Sequence, residues 1–289
     1  MARTVNEGFE EFLKRLTPTQ AERDAGSSHR ASIKAALEAK LTIMAYFETG
    51  SFSHGTGLRG FSDIDVLVSI GNSRPETSYT AIAWVKEAME KRFPLTTVQI
   101  RRPAVVIKFA GGYETWEVIP GFLTNRGVNQ LVYDIPGASD NPSWIDSAPN
   151  EHLSYVNDCN LKPHKGDAKA LSRLIKAWKY YCDVPVSSFY LEMRCAQHVA
   201  TQATYIHVWD VCQVLEKLDS TQLAAMNDPK GATGWIYACS STAKATDALS
   251  KVHTAAVRAR KALNACNNSD PVTAFTYLDL LFGGQFPSR

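Results

Sequence analysis

Asp63 and Asp65 stand two residues apart in the run Asp63-Ile64-Asp65-Val66-Leu67-Val68-Ser69-Ile70, which Gly71-Asn72 closes. Its β-branched and apolar residues predict a strand. Alternate residues of a strand share a face, so both carboxylates point the same way. Two carboxylates this close repel unless a cation lies between them. Hard divalent ions, Mg²⁺ or in its place Mn²⁺, suit such a pair because they favour carboxylate oxygens together with substrate phosphates. Upstream, Gly50-Ser51 ends a strand that begins at Tyr46 and opens into what reads as a short helix. Exposed N–H groups at such a turn hold phosphate oxygens, and the bare Gly50 lets the backbone approach closely. A Gly-Ser turn and a lone Asp-x-Asp are each common. Their joint arrangement, with Asp63 twelve residues after Ser51, implies chemistry on a nucleoside triphosphate. The P-loop pattern GxxxxGK[ST] does not occur in the chain. His54, Arg59 and Arg74 are near enough in sequence to touch phosphate, with a turn or solvent-facing role as the alternative for each.

The elements that must carry these residues follow from periodicity. Helices are expected over 5–24 and 29–46, the second on Ile33, Ala36, Leu37, Leu41, Ile43 and Met44. A third, over 78–92, stops near Pro94. Strands are expected over 96–101, 104–110 and 115–119, with Gly111-Gly112 turning between the last two. Strands interleaved with helices predict an α/β lobe with a mixed sheet. The stretch 134–165, rich in Pro, Asn, Asp and Ser, reads mostly as loop and as the place of a domain boundary. Beyond it helices are expected over 166–182, 187–200, 204–218 and 240–266. Asp270-Pro271 then fits an N-cap with proline at the first helical position, and Gly283-Gly284 the matching stop. The reading is an α+β lobe with N-terminal helices over 1–150, an all-helical lobe over 151–289, and an active site in the cleft between them.

Composition bounds the rest. With 289 residues, 45% hydrophobic and 21% charged, the chain has the makeup of a globular protein of roughly two domains. A net charge of +2 disfavours a strongly basic nucleic-acid clamp. The six cysteines form no CxxC pair and are read as reduced thiols. Cys195 and His198 sit three apart, but zinc would need two further ligands at a recognisable spacing. Acids occupy the N-terminal stretch where a signal peptide is apolar, and the longest apolar run, Leu41–Phe47, is far below the ~20 residues of a membrane span. The expectation is a cytoplasmic protein with no membrane contact.

The segment GSFSHGTGLRGFSDIDVLV resembles the signature of polymerase-beta-type nucleotidyltransferases. More narrowly it resembles the bacterial CD-NTases, relatives of cyclic GMP–AMP synthase and 2′-5′ oligoadenylate synthetase. In that family hG[GS] precedes [DE]h[DE]h, and a third acid lies in a later strand, often before a proline. Trp116-Glu117-Val118-Ile119-Pro120 matches, with Glu117 in place of the commoner Asp. Glu114 is the nearby competitor, but Glu117 keeps the apolar flanks of a buried strand position. Leu174-Ile175-Lys176-Ala177-Trp178 is similar to the family's LlKxW helix, and Ser187-Ser188-Phe189-Tyr190-Leu191-Glu192 to its SfxLE element. The resemblance covers about 30–200. It implies that Lys176 and Ser188 bind phosphate and that Phe189 stacks on a base. The residues alone leave open a Lys176 whose stem packs along the surface and a Phe189 in the core.

The expected function is therefore two-metal nucleotidyl transfer, with Asp63, Asp65 and Glu117 as metal ligands and Gly50 and Ser51 orienting the donor phosphates. By resemblance the products are cyclic di- or trinucleotide second messengers in bacterial antiphage signalling, made from nucleoside triphosphates with ATP among them. The same resemblance implies an activating protein partner and a downstream effector that answers to the product. No zinc-ribbon insertion is visible, so activation by nucleic acid is not expected. The competing readings are a linear RNA- or tRNA-tailing transferase, an antibiotic-modifying nucleotidyltransferase, and a nucleotide sensor without turnover.

Overall fold

A computed structural model describes residues 4–61, 63–109, 114–138, 143–161 and 166–289, with backbone alone over 21–28. The expected Gly111-Gly112 turn lies outside the described residues. The elements in chain order are α1 (Val5–Leu16), α2 (Gln20–Glu38), β1 (Ile43–Thr49), α3 (Gly50–His54), β2 (Ile64–Ile70), α4 (Ser78–Arg92), β3 (Thr97–Arg101), β4 (Ala104–Phe109) and β5 (Glu114–Leu123). After them come β6 (Tyr133–Pro136), β7 (Trp144–Ser147), α5 (Pro149–Leu161), α6 (Asp167–Tyr181), α7 (Ser188–Ala200) and α8 (His207–Ser220). The chain continues with β8 (Met226–Asn227), β9 (Trp235–Ile236), α9 (Thr242–Asn267) and α10 (Pro271–Leu281).

The chain divides into two compact units. One, formed by Pro18–Ser154 with Asp228–Gly234, holds a seven-stranded mixed sheet of order β1-β2-β5-β4-β3, with β6 joining β5 and β7 joining β6. Only β2 and β5 run parallel in it; the other pairs are antiparallel. Alternation decides what each face buries. Ile64, Val66, Val68, Trp116, Val118, Val105 and Ile107 project to one side and pack with Ile33 and Leu37 of α2 and Ile82, Val85 and Met89 of α4. The opposite face carries a smaller cluster of Leu67, Tyr133 and Ile135, with Phe47 and Ile119 against it. Pro120 falls where β5 has left β4, after Val105↔Val118, and has not yet met β6 at Phe122↔Asp134, so neither strand needs an N–H from it.

The other unit, Met1–Thr17, Tyr155–Asn227 and Trp235–Arg289, is helical apart from the short β8–β9 ribbon. Contacts thus divide the chain differently from the expected 1–150 and 151–289. Phe9 and Phe12 of α1 are 0% and 1% exposed and pack edge-on against Phe282 and Phe286, which ties the N-terminal helix to the helical unit. The loop 228–234 belongs with the sheet unit. There Asp228 accepts the backbone N–H groups of Lys230, Ala232 and Thr233 at 2.9 Å each, and lies 3.2 Å from His152.

Several elements depart from expectation. The helix expected over 5–24 breaks at Thr17, because Pro18 cannot continue it and the Thr17 hydroxyl caps Leu13. The helix expected over 29–46 ends at Glu38, and Ile43–Thr49 pairs with β2 instead. Within 134–165, read as loop, the chain forms β6, β7 and α5. Both strands are four residues long, too short for alternation to register.

Candidate functional site

A single row crosses the sheet unit from edge to edge. Thr49 of β1 pairs with Asp65 of β2, Asp65 with Glu117 of β5, Glu117 with Val106 of β4, and Val106 with Gln99 of β3. Residues paired across strands share a face, so Asp65 and Glu117 point the same way, on the side away from Trp116 and the larger core. Asp63, two residues before Asp65, stands just ahead of β2. Glu114 faces the opposite way. It accepts the Trp116 indole N–H at 2.7 Å and meets His29 at 2.9 Å, whose ring stacks on Phe109 at 3.8 Å.

Gly50 opens α3 with φ +61, directly after Thr49. A Cβ added there would lie 2.0 Å from Asp65 Oδ2, so the bare Cα is what lets the turn and this carboxylate meet. Ser51 follows in α3, half-buried, and Gly55 ends the helix in the left-handed region at φ 66. His54 is 4% exposed, Arg59 is exposed, and Arg74 lies 3.1 Å from Asp134 and over the Trp144 ring. Arg74 is thus engaged by β6 and β7.

Arg101 was not singled out by sequence reasoning. Its Nη2 lies 2.6 Å from Asp63 Oδ2 and also contacts Glu117 Oε1, so one guanidinium joins two of the three acids. Burial pushes the Asp63 carboxyl up, opposed by Arg101 and then by Lys108. The signal for Arg101 is long-range: it ends β3, two strands from β5, and only the register brings it to this face. Among the described residues no three His, Cys, Asp or Glu side chains stand together as a ready metal site. Three like charges on one face do not close up on their own, and here a guanidinium lies between two of them. The donor set nonetheless fits a hard divalent ion: carboxylate oxygens on one face, beside a turn that is bare at Gly50 and whose N–H groups suit phosphate.

In the helical unit, Lys176 is 1% exposed and its Nζ lies 3.4 Å from Glu192 Oε2, a buried ion pair between α6 and α7. One turn on, Lys179 is half-buried, and burial with the nearby Lys176 charge brings its pKa down to about 8. Its ammonium sits 4.1 Å from the Tyr180 ring centre. Ser188, at the start of α7, lies 3.2 Å from the Tyr180 hydroxyl, and Phe189 is half-buried beside it. The packing of α6 on α7 therefore brings Lys176 to Glu192 and Tyr180 to Ser188, with Lys179 near Lys176 on α6. His198 pairs with Asp210 at 2.8 Å and Cys195 is fully buried.

A family model described as "Second Messenger Oligonucleotide or Dinucleotide Synthetase domain" matches residues 3–160. A curated relative, the "CBASS oligonucleotide cyclase CdnC" of Escherichia coli (strain KTE188), is 26% identical over 168 residues, 53% of this chain and 50% of that protein. The chain thus spans about half the length of the curated relatives it matches. Among solved structures, E. coli MS115-1 CdnC with ATP superposes with a TM-score of 0.78 at 16% identity, covering 98% of this chain and 99% of that one. The complex of the same CdnC with HORMA-deltaN gives 0.76 at 16% identity, covering 98% of each. At that identity the likeness establishes the fold. Among the described residues no helix is long and apolar enough to cross a membrane.

Proposed function

The chain belongs to the second messenger oligonucleotide or dinucleotide synthetase family, and from that premise we propose that it joins nucleoside triphosphates into a cyclic di- or trinucleotide, releasing pyrophosphate at each bond. The observation that carries this reading is the acidic row: Asp65 and Glu117 paired across β2 and β5, Asp63 bridged to Glu117 by Arg101, and Gly50 against Asp65.

Asp63 and Asp65 would hold a divalent ion on the donor triphosphate, and Glu117 with them a second beside the acceptor hydroxyl. When bound, such ions lower the hydroxyl's pKa and neutralise charge on the departing pyrophosphate. The chain's own part is orientation. Gly50 and Ser51 present backbone N–H groups to the donor phosphates, and the β2–β5 register fixes Asp65 against Glu117 before substrate arrives, so little reorganisation of that pair is left for the reaction itself. The acceptor oxygen bonds to the donor α-phosphorus as the bond to pyrophosphate breaks. A later attack by the oligomer's own hydroxyl on its α-phosphate closes the ring.

In the helical unit we assign phosphate contact to Lys176 and Ser188 and base stacking to Phe189. Lys176 would have to turn from Glu192 to serve, and Lys179 is the more accessible cation of the two. The physiological setting is antiphage signalling in the cytoplasm, with Mg²⁺ or Mn²⁺ as the ion, ATP among the substrates, an activating protein partner, and an effector that answers to the product. E. coli CdnC supports the partner, having been seen with HORMA-deltaN.

Labelled nucleoside triphosphates with Mg²⁺ or Mn²⁺, in the presence of the cognate partner, should yield phosphatase-resistant products whose masses are those of cyclic species. A folded Asp65→Ala protein should yield none. Linear, phosphatase-sensitive products would instead indicate tailing. Nucleotide binding without pyrophosphate release would indicate a sensor.

A further inference from the structure

Arg101 occupies the position that a counter-ion for the acidic row would need. Its guanidinium contacts Asp63 Oδ2 and Glu117 Oε1 at once. A divalent ion coordinated by these carboxylates draws on the same oxygen lone pairs, so the two cations compete for them. Exposure points to how the competition resolves. The Arg101 side chain is 55% exposed at the end of a strand, whereas Glu117 is 18% exposed inside the sheet. The cation has room to leave; the acid does not.

We propose that Arg101 is a resident counter-cation of the acidic row, holding Asp63 and Glu117 together and giving them up when a divalent ion binds. The proposal rests on the assignment of Asp63, Asp65 and Glu117 as metal ligands. Arginine suits this task better than lysine. Its Nη2 contacts both carboxylates here, its other N–H groups leave the delocalised charge weakly hydrated, and it stays charged at every accessible pH, so the row keeps its counter-charge throughout. Metal affinity is then the difference between two ion associations. The row, for its part, keeps a folded geometry before the ion arrives, when three carboxylates on one face would otherwise push neighbouring strand ends apart.

The test is a Mn²⁺ titration of the full chain without nucleotide, followed calorimetrically, on wild type, Arg101→Gln, Arg101→Lys and Asp65→Ala. Each exposed ion pair is worth at most a few-fold, and Arg101→Gln removes two, so this variant should bind Mn²⁺ roughly three- to thirtyfold more tightly than wild type. Arg101→Lys should lie between them. Without metal, Arg101→Gln should melt below wild type, and saturating Mn²⁺ should close the gap. An Arg101→Gln affinity equal to or weaker than that of a wild type that does bind Mn²⁺ overturns the proposal alone. A wild type that binds no Mn²⁺, or binds it as Asp65→Ala does, overturns instead the ligand assignment beneath it. Should Arg101→Gln fail to fold, the Arg101 Nε–H resonance of the wild type decides. It should shift as Mg²⁺ is added, and a resonance unmoved at Mg²⁺ saturation refutes displacement.

Discussion

Replacing Gly50 by alanine adds one carbon and tests the geometry at its tightest point. The new Cβ would fall 2.0 Å from Asp65 Oδ2, 2.6 Å from its Cγ and 3.0 Å from its Cβ. The near atoms belong to a short side chain on a paired strand, so relief must come from turning the carboxylate or moving the α3 turn. Either shift must exceed about 1 Å to restore ordinary contact distances. Alanine at φ +61 adds conformational strain of roughly 1–2 kcal/mol. At roughly 2–4 °C per kcal/mol for a body of this size, melting should fall by about 2–8 °C and leave the protein folded at room temperature. Catalysis should suffer far more, since a misplacement of about 1 Å costs on the order of a hundredfold in rate. Pyrophosphate release in the folded Gly50→Ala protein should therefore drop about a hundredfold, with the loss chiefly in kcat. Release within about threefold of wild type would refute the reasoning that Asp65 and the turn at Gly50 form one reacting centre.

Two further outcomes follow from other parts of the molecule. Lys176→Met should leave Glu192 charged and buried without its partner, costing about 3–5 kcal/mol in urea unfolding, while Lys176→Met with Glu192→Leu should recover most of that loss. A recovered double variant with a raised KM for triphosphate supports phosphate contact by Lys176; unchanged kinetics would reduce Lys176 to a structural role. At Asp228 burial alone would raise the carboxyl, but the His152 contact and the N–H groups of Lys230 and Thr233 hold it well below the usual carboxylate range. The unfolded chain therefore takes up this proton first as pH falls. The stabilisation is complete above about pH 4 and is lost below it, so Asp228→Asn should flatten the acid limb of a stability–pH curve, and an unchanged limb would contradict the assignment.

What could be read before any coordinates was what is local. The Gly50-Ser51 turn, the spacing of Asp63 and Asp65, and the β-branched run that becomes β2 lie within about twenty residues and carry their own periodicity. Glu117 and Glu114 are told apart by parity: residues three apart on a strand face opposite ways, and the apolar flanks of Glu117 mark which one lies across from Asp65. What escaped is long-range. Nothing near Phe9 and Phe12 in sequence indicates that they pack on Phe282 and Phe286. β6 and β7 are too short to outweigh the Asn, Pro and Ser around them. The sixteen-position separation of Lys176 and Glu192 conceals a pair made only when α6 packs on α7. Arg101 reads as a surface arginine until three strands are aligned.

Asp63, Asp65 and Glu117 should together take up divalent ions. A crystal structure of the full chain with Mn²⁺ and a non-hydrolysable ATP analogue, phased to show anomalous scattering, addresses that directly. Anomalous peaks within roughly 2.0–2.4 Å of all three carboxylates, with the analogue's phosphates at Gly50 and Ser51, are the predicted result. Peaks elsewhere in the chain, with Arg101 still bridging Asp63 and Glu117 beside a bound nucleotide, would contradict it.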